Sequence, residues 1–91
     1  MNLLVTGGCG FIGSNFINYY FFENTSCNIF NLDAMYYCAN EANIDLNVRL
    51  SNKYKLVKGN LCSFDLIKHI LELYEIDVKV CYTISYSGKA Y

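Results

Sequence analysis

An α/β fold built on a parallel sheet is what this 91-residue sequence predicts, and three observations carry that reading. A short apolar run, Leu3-Leu4-Val5-Thr6, is followed by glycines at 7, 10 and 13 and at once by an apolar segment of helical spacing. A second run of strand character ends on an acid, Asp33, twenty residues beyond Gly13. Strand-like and helix-like segments then keep alternating, giving β-α-β-(short α)-β-α-β. With right-handed crossovers the strands take the order 3-2-1-4. This is the N-terminal half of a doubly wound, Rossmann-type sheet, truncated relative to the full form.

The first strand and its glycine turn suit a pyrophosphate. Gly7 permits the tight turn, Gly10 lets main chain approach the phosphates, and Gly13 lets the helix pack closely on the strand. Phe11 and Ile12 open that helix, so its N–H groups and the positive end of its dipole face the anion. The helix is expected over Phe11–Glu23, with Ile12, Phe16, Ile17 and Tyr20 on its apolar face and Ser14, Asn15 and Asn18 polar. Asn24, Thr25 and Ser26 break it.

The second strand is expected over residues 27–32. In a βαβ dinucleotide site, an acid at its end accepts hydrogen bonds from both adenosine ribose hydroxyls. A carboxylate there also repels a 2′-phosphate. Met35 and Tyr36 follow, with no arginine before Arg49, so NAD is favoured over NADP. The competing reading is an Asp33 that merely caps a strand-end turn.

Residues 34–53 read as a long loop with one short helix. Its asparagines (Asn40, Asn43, Asn47 and Asn52) are loop-prone, and Ile44, Leu46, Val48 and Leu50 give modest apolar content. Tyr54–Lys58 is a third strand, closed by Gly59 and Asn60. Ser63 suits an N-cap and Asp65 the helix dipole behind it. The helix over residues 64–75 buries Leu66, Ile67, Ile70, Leu71 and Tyr74. His69 falls on its wet face and has no partner motif, so it reads as a solvated residue. Residues 78–84 suit a fourth strand, and residues 85–91 a polar, tyrosine-rich tail.

Composition narrows the function classes. The chain is 54% hydrophobic and 16% aromatic, enough for a core. A chain of this size buries only roughly 60–70% of its unfolded surface, so stability is expected to be marginal. A net charge of −1 leaves no footprint for nucleic acid. No apolar run approaches the ~20 residues of a membrane span, and the start of the chain has no secretory signal pattern. Five cysteines and one histidine, with no Cys-x-x-Cys, suggest thiols in a reducing cytoplasm and no metal site.

Val5-Thr6-Gly7-Gly8-Cys9-Gly10-Phe11-Ile12-Gly13-Ser14-Asn15-Phe16 resembles the opening of the extended short-chain dehydrogenase/reductases, specifically the dTDP-glucose 4,6-dehydratases. Asn31-Leu32-Asp33 is similar to that family's second-strand end. Tyr37-Cys38-Ala39-Asn40-Glu41-Ala42-Asn43-Ile44 resembles its Tyr-Ala-Gly-Asn-x-x-Asn-Leu segment. Lys58-Gly59-Asn60-Leu61-Cys62 resembles its Gly-Asp-Ile-Cys segment. The resemblance covers residues 1 to about 77.

It implies an NAD cofactor and, in a full-length relative, a nucleotide-sugar substrate. There NAD oxidises C4 of the glucose, water is lost across C5–C6, and the hydride returns to C6. By position, Gly7, Gly10, Phe11, Ile12 and Gly13 would hold the pyrophosphate and Asp33 the ribose. Met35 and Tyr36 would flank Asp33, and Asn60 and Leu61 would border the adenine. The family usually carries Asp at position 60; asparagine accepts there without charge.

The family's catalytic Tyr-x-x-x-Lys pair and sugar-binding domain are expected beyond Tyr91, so no catalytic residue is assigned. Tyr86-Ser87-Gly88-Lys89 is one residue too short for that pair. The fourth strand departs too: the family reads Asp-x-Val-Ile-His-x-Ala-Ala, whereas Lys79 and Tyr82 suit a doubly buried strand poorly. Codons for residues 80–87 can be chosen so that the neighbouring frame reads Tyr-Val-Ile-Gln-Leu-Ala-Ile-Gln. The division is therefore a partial NAD-binding domain over 1–77 and a divergent, out-of-frame tail over 78–91. Three functions stay open: the NAD-binding part of a dehydratase, a non-catalytic nucleotide-binding module, and a non-functional remnant with an exposed sheet edge.

Overall fold

The computed structural model describes residues 1–36, 39–60 and 63–81. Its strands are β1 (Asn2–Thr6), β2 (Asn28–Asp33), β3 (Tyr54–Lys58) and β4 (Val78–Cys81). They form one sheet in the order β3-β2-β1-β4, and every pairing is parallel. This is the order expected from sequence. The helices are α1 (Phe11–Glu23), α2 (Leu46–Arg49) and α3 (Phe64–Leu73), with a 3₁₀ turn at Glu41–Asn43.

β1 lies between β2 and β4, with Leu3, Leu4, Val5 and Thr6 all buried. An unbroken apolar run suits a strand covered on both faces. Because side chains alternate, Leu3 and Val5 pack with Ile17 of α1 and Ile29 of β2, while Leu4 packs with Leu32 and Ile70 of α3. The two helices thus cover opposite faces of the sheet.

The loop reading of residues 34–53 understates their role in the core. Ile44 and Val48 join the α1-side cluster fully buried, while Leu46 and Leu50 are exposed. Ile44 is extended (φ −83°, ψ 131°) between the 3₁₀ turn and α2, so the path of the chain, and not a helical period, brings it beside Val48. In α1 the buried residues are Gly13, Ser14 and Ile17; Ile12, expected on the apolar face, is exposed. Ser14 tolerates burial because its hydroxyl donates to the Phe11 carbonyl at 3.0 Å.

α3 ends two residues short of the expected limit. Glu75 adopts φ +51°, and Ile76 N–H bonds back to the Leu71 carbonyl at 3.3 Å. This reversal is a Schellman-type stop, with Glu75 where glycine is usual. Ser63 does hold the N-cap position, but its side chain makes no capping bond.

The α3–β4 turn is fastened to β1. Asn2 Nδ2 donates to the Tyr74 carbonyl at 2.8 Å, and Asn2 N–H donates to Asp77 Oδ2 at 2.8 Å. Asp77 N–H returns to the Asn2 carbonyl at 2.8 Å. β4 then pairs from Leu3↔Val78 to Thr6↔Cys81. Residues 78–81 thus form the described part of the strand expected over residues 78–84. Lys79 is exposed, as an edge position allows. Residues 82–91, the rest of the expected tail, lie outside the described residues.

Candidate dinucleotide site at the carboxyl end of the sheet

β1 and β2 end side by side, and residues 7–13 form the turn between β1 and α1. Gly7 has φ +72°, a left-handed geometry that glycine adopts without steric cost. Its N–H continues the ladder to the Leu32 carbonyl at 2.8 Å. A Cβ on Gly13 would stand 2.4 Å from the Gly7 carbonyl oxygen and 2.8 Å from Gly8 Cα. Gly13 is thus required where the helix meets the turn. A Cβ on Gly10 would meet only the Gly7 oxygen, at 3.6 Å, so its open side faces outward.

The first helical bond of α1 runs from Ser14 N–H to the Gly10 carbonyl at 2.9 Å. The amides of Phe11, Ile12 and Gly13 precede it and find no acceptor among the described residues. No acidic side chain occupies the first turn. An anion there would meet three N–H groups and the positive helix end, with no acidic side chain in that helical turn.

Asp33 ends β2 and is buried, 7% exposed as a residue. Oδ2 accepts the Cys9 N–H at 2.8 Å, and Oδ1 accepts the Met35 N–H at 2.8 Å. Each oxygen keeps one further lone pair. Met35 sits at φ +61°, a left-handed conformation held by that Asp33 bond. Tyr36 is exposed beside it. Gly59 N–H donates to the Asp33 carbonyl at 3.0 Å, which brings the exposed Asn60 to the end of β2. Leu61 lies outside the described residues. The residues expected from sequence, from Gly7 through Asp33 to Asn60, thus gather at one end of the sheet.

A buried polar cluster beneath the turn went unread in the sequence. Asn31 is fully buried. Its Oδ1 accepts the Gly8 N–H at 3.0 Å, and its Nδ2 donates to Tyr54 Oη at 3.1 Å and Cys9 Sγ at 3.4 Å. A Cβ on Gly8 would stand 2.3 Å from Asn31 Oδ1, so a fourth glycine is needed beside the expected three. Burial, reinforced by Asp33, pushes the Cys9 thiol up to about 11. Burial likewise pushes the Tyr54 phenol up to about 12, against the Asn31 bond. Both groups are neutral at physiological pH. The available signal was a polar residue, Asn31, set between the apolar Ile29-Phe30 and Leu32 of β2.

A Tyr-x-x-x-Lys string does occur at Tyr54–Lys58, but along β3. Four strand steps separate its ends by ~13 Å, with the phenol buried and the lysine exposed. It is not the helical tyrosine–lysine pair, in which one turn brings the groups together.

A family model described as GDP-mannose 4,6-dehydratase matches residues 4–81. The chain belongs to this family. Among relatives of this dehydratase-family chain, the dTDP-glucose 4,6-dehydratase of Haemophilus influenzae is 38% identical over 77 residues, 85% of this chain and 22% of the relative. The human dTDP-D-glucose 4,6-dehydratase is 37% identical over 78 residues, 84% of this chain and 21% of the relative. The family member therefore spans about a fifth of the length of these curated relatives. A crystal structure of the Bacillus anthracis dTDP-glucose 4,6-dehydratase with NAD superposes at a TM-score of 0.88 with 35% identity. It covers 93% of this chain and 27% of that one.

Proposed function

We propose that residues 1–81 are the NAD-binding part of a sugar-nucleotide 4,6-dehydratase, without catalysis of their own. The observation that carries this reading is Asp33, a carboxylate at the end of β2, hydrogen-bonded to the same turn that presents the α1 amides. The Phe11, Ile12 and Gly13 amides would hold the pyrophosphate, with Gly7 and Gly10 giving it access. Asp33 would take the adenosine ribose, flanked by Met35 and Tyr36, and Asn60 and Leu61 would border the adenine. NAD, when bound, supplies a hydride acceptor. The residues here bind and orient its adenosine half, and the tyrosine–lysine pair and sugar pocket belong to the region that longer relatives carry. The NAD-bound relative at 35% identity supports the cofactor. A nucleotide sugar is the substrate only of such a complete enzyme, in the cytoplasm.

Calorimetric titration tests the reading. The chain is expected to bind NAD at ~0.1–1 mM and NADP more weakly. No heat and no thermal shift at millimolar NAD would overturn it. Formation of a 4-keto-6-deoxy sugar from dTDP-glucose by this chain would overturn the absence of catalysis.

A further inference from the structure

Every polar atom of Cys9, in the middle of the glycine turn, is already bonded. Its N–H donates to Asp33 Oδ2, and its sulfur accepts from Asn31 Nδ2. Its carbonyl accepts twice, from Asn40 N–H at 3.0 Å and from Asn43 Nδ2 at 2.9 Å. One residue earlier, the Gly8 N–H is held by Asn31 Oδ1. One residue later, the Gly10 N–H bonds back to the Gly7 carbonyl at 3.3 Å. Three successive peptide planes, 7–8, 8–9 and 9–10, are thereby fixed. A glycine-rich turn is otherwise among the loosest stretches a chain can contain.

We infer that Asn31 and Asn43 are positioning residues for the dinucleotide, clamping the turn from its core side and its solvent side. Asn31 reaches up from buried β2. Asn43 is exposed, yet its Nδ2 donates to the Cys9 carbonyl. Its own segment is docked on α1: Asn18 Nδ2 donates to the Asn43 carbonyl at 3.0 Å, and Asp45 N–H donates to Asn18 Oδ1 at 2.8 Å. The clamp thus ties the turn to the helix whose amides face the anion. Fixing that geometry before binding removes an ordering cost from the binding step. The inference rests on the NAD reading for its consequence, though not for the clamp itself.

The test compares the full chain with Asn43→Ala and Asn43→Gln. Calorimetric NAD titration is paired with amide exchange at Gly8, Cys9 and Gly10 by nitrogen-15 NMR without ligand. Asn43→Ala is expected to weaken NAD about tenfold, the factor for one net hydrogen bond, and to speed exchange at these amides. Asn43→Gln, which keeps a donor, is expected to recover part of both. A purely structural role would lower the urea midpoint and leave folded-state affinity and turn exchange unchanged, which would overturn the inference. If the parent chain does not bind NAD, the function proposed above fails and the exchange data decide the clamp alone: faster exchange in Asn43→Ala upholds it, unchanged exchange overturns it.

Discussion

Asp33 Oδ2 and the Cys9 main-chain N–H lie 2.8 Å apart, so the acid ending β2 is bonded to the turn ending β1. One carboxylate therefore holds the turn and, on the proposed function, would also face the ribose. Asp33→Asn leaves one of the Cys9 and Met35 N–H groups without an acceptor. It is expected to cost about 1.5–3 kcal/mol of stability, read by urea unfolding. It also removes the charge that repels a 2′-phosphate, so the NAD/NADP affinity ratio is expected to fall in parallel titrations.

Gly13 and Gly10 differ in what surrounds them, and their alanine variants separate folding from binding. Gly13→Ala drives a methyl against main chain at 2.4 Å and is expected to destabilise the fold by about 1–3 kcal/mol. Gly10→Ala meets no close atom and is expected to leave stability within about 0.5 kcal/mol. Its methyl stands on the open side of the turn, so NAD affinity is expected to drop at least about tenfold. A Gly10→Ala variant that binds like the parent would remove the pyrophosphate from this turn.

Cys9 and Tyr54 set an alkaline limit. Burial raises Cys9 from 9.0 to about 11 and Tyr54 from 10.0 to about 12. The folded state then holds protons that the unfolded state releases. Stability is full below pH 9, falls as pH rises through 9–11 for the thiol, and continues falling towards 12 for the phenol. The thiol's share is on the order of 2 kcal/mol. Urea midpoints at pH 8 and 10.5 measure it, and Cys9→Ala is expected to flatten the part of the slope that the thiol supplies.

The buried thiol also makes a kinetic prediction. Attack by a thiol reagent needs exposed thiolate, and Cys9 is fully buried. Labelling of Cys9 at pH 8 is expected only at the rate of local or global opening, and to accelerate in urea. Peptide mapping after timed labelling reads it out.

The sheet order and the cluster from Gly7 to Asp33 were legible because each follows from a strong local rule. Glycine spacing, an acid at a strand end and alternating periodicities all act over a few residues. Asn31 was not legible, since its partners Gly8, Cys9 and Tyr54 lie 22 or 23 positions away. Asn43 was read as a loop former; its bond to the Cys9 carbonyl spans 34 positions. Ile12 was read as core from its period, but in the first turn of α1, directly after the glycine turn, it is exposed. Ile44 and Val48 were read only as modest apolar content, because Ile44 is buried from an extended residue outside α2, where no helical period applies.

The fastening of Asn2 to Asp77 has a consequence for biosynthesis. The two residues are 75 positions apart, and β1 cannot be flanked on both sides until β4 is made. At about 5–20 residues per second, translation delivers that second neighbour roughly 4–15 s after the first strand. During that interval Leu3, Leu4 and Val5 carry an open hydrogen-bonding edge on the ribosome-bound chain. An interior strand of the finished sheet is thus an adhesive edge on the nascent chain, open to a chaperone until β4 emerges.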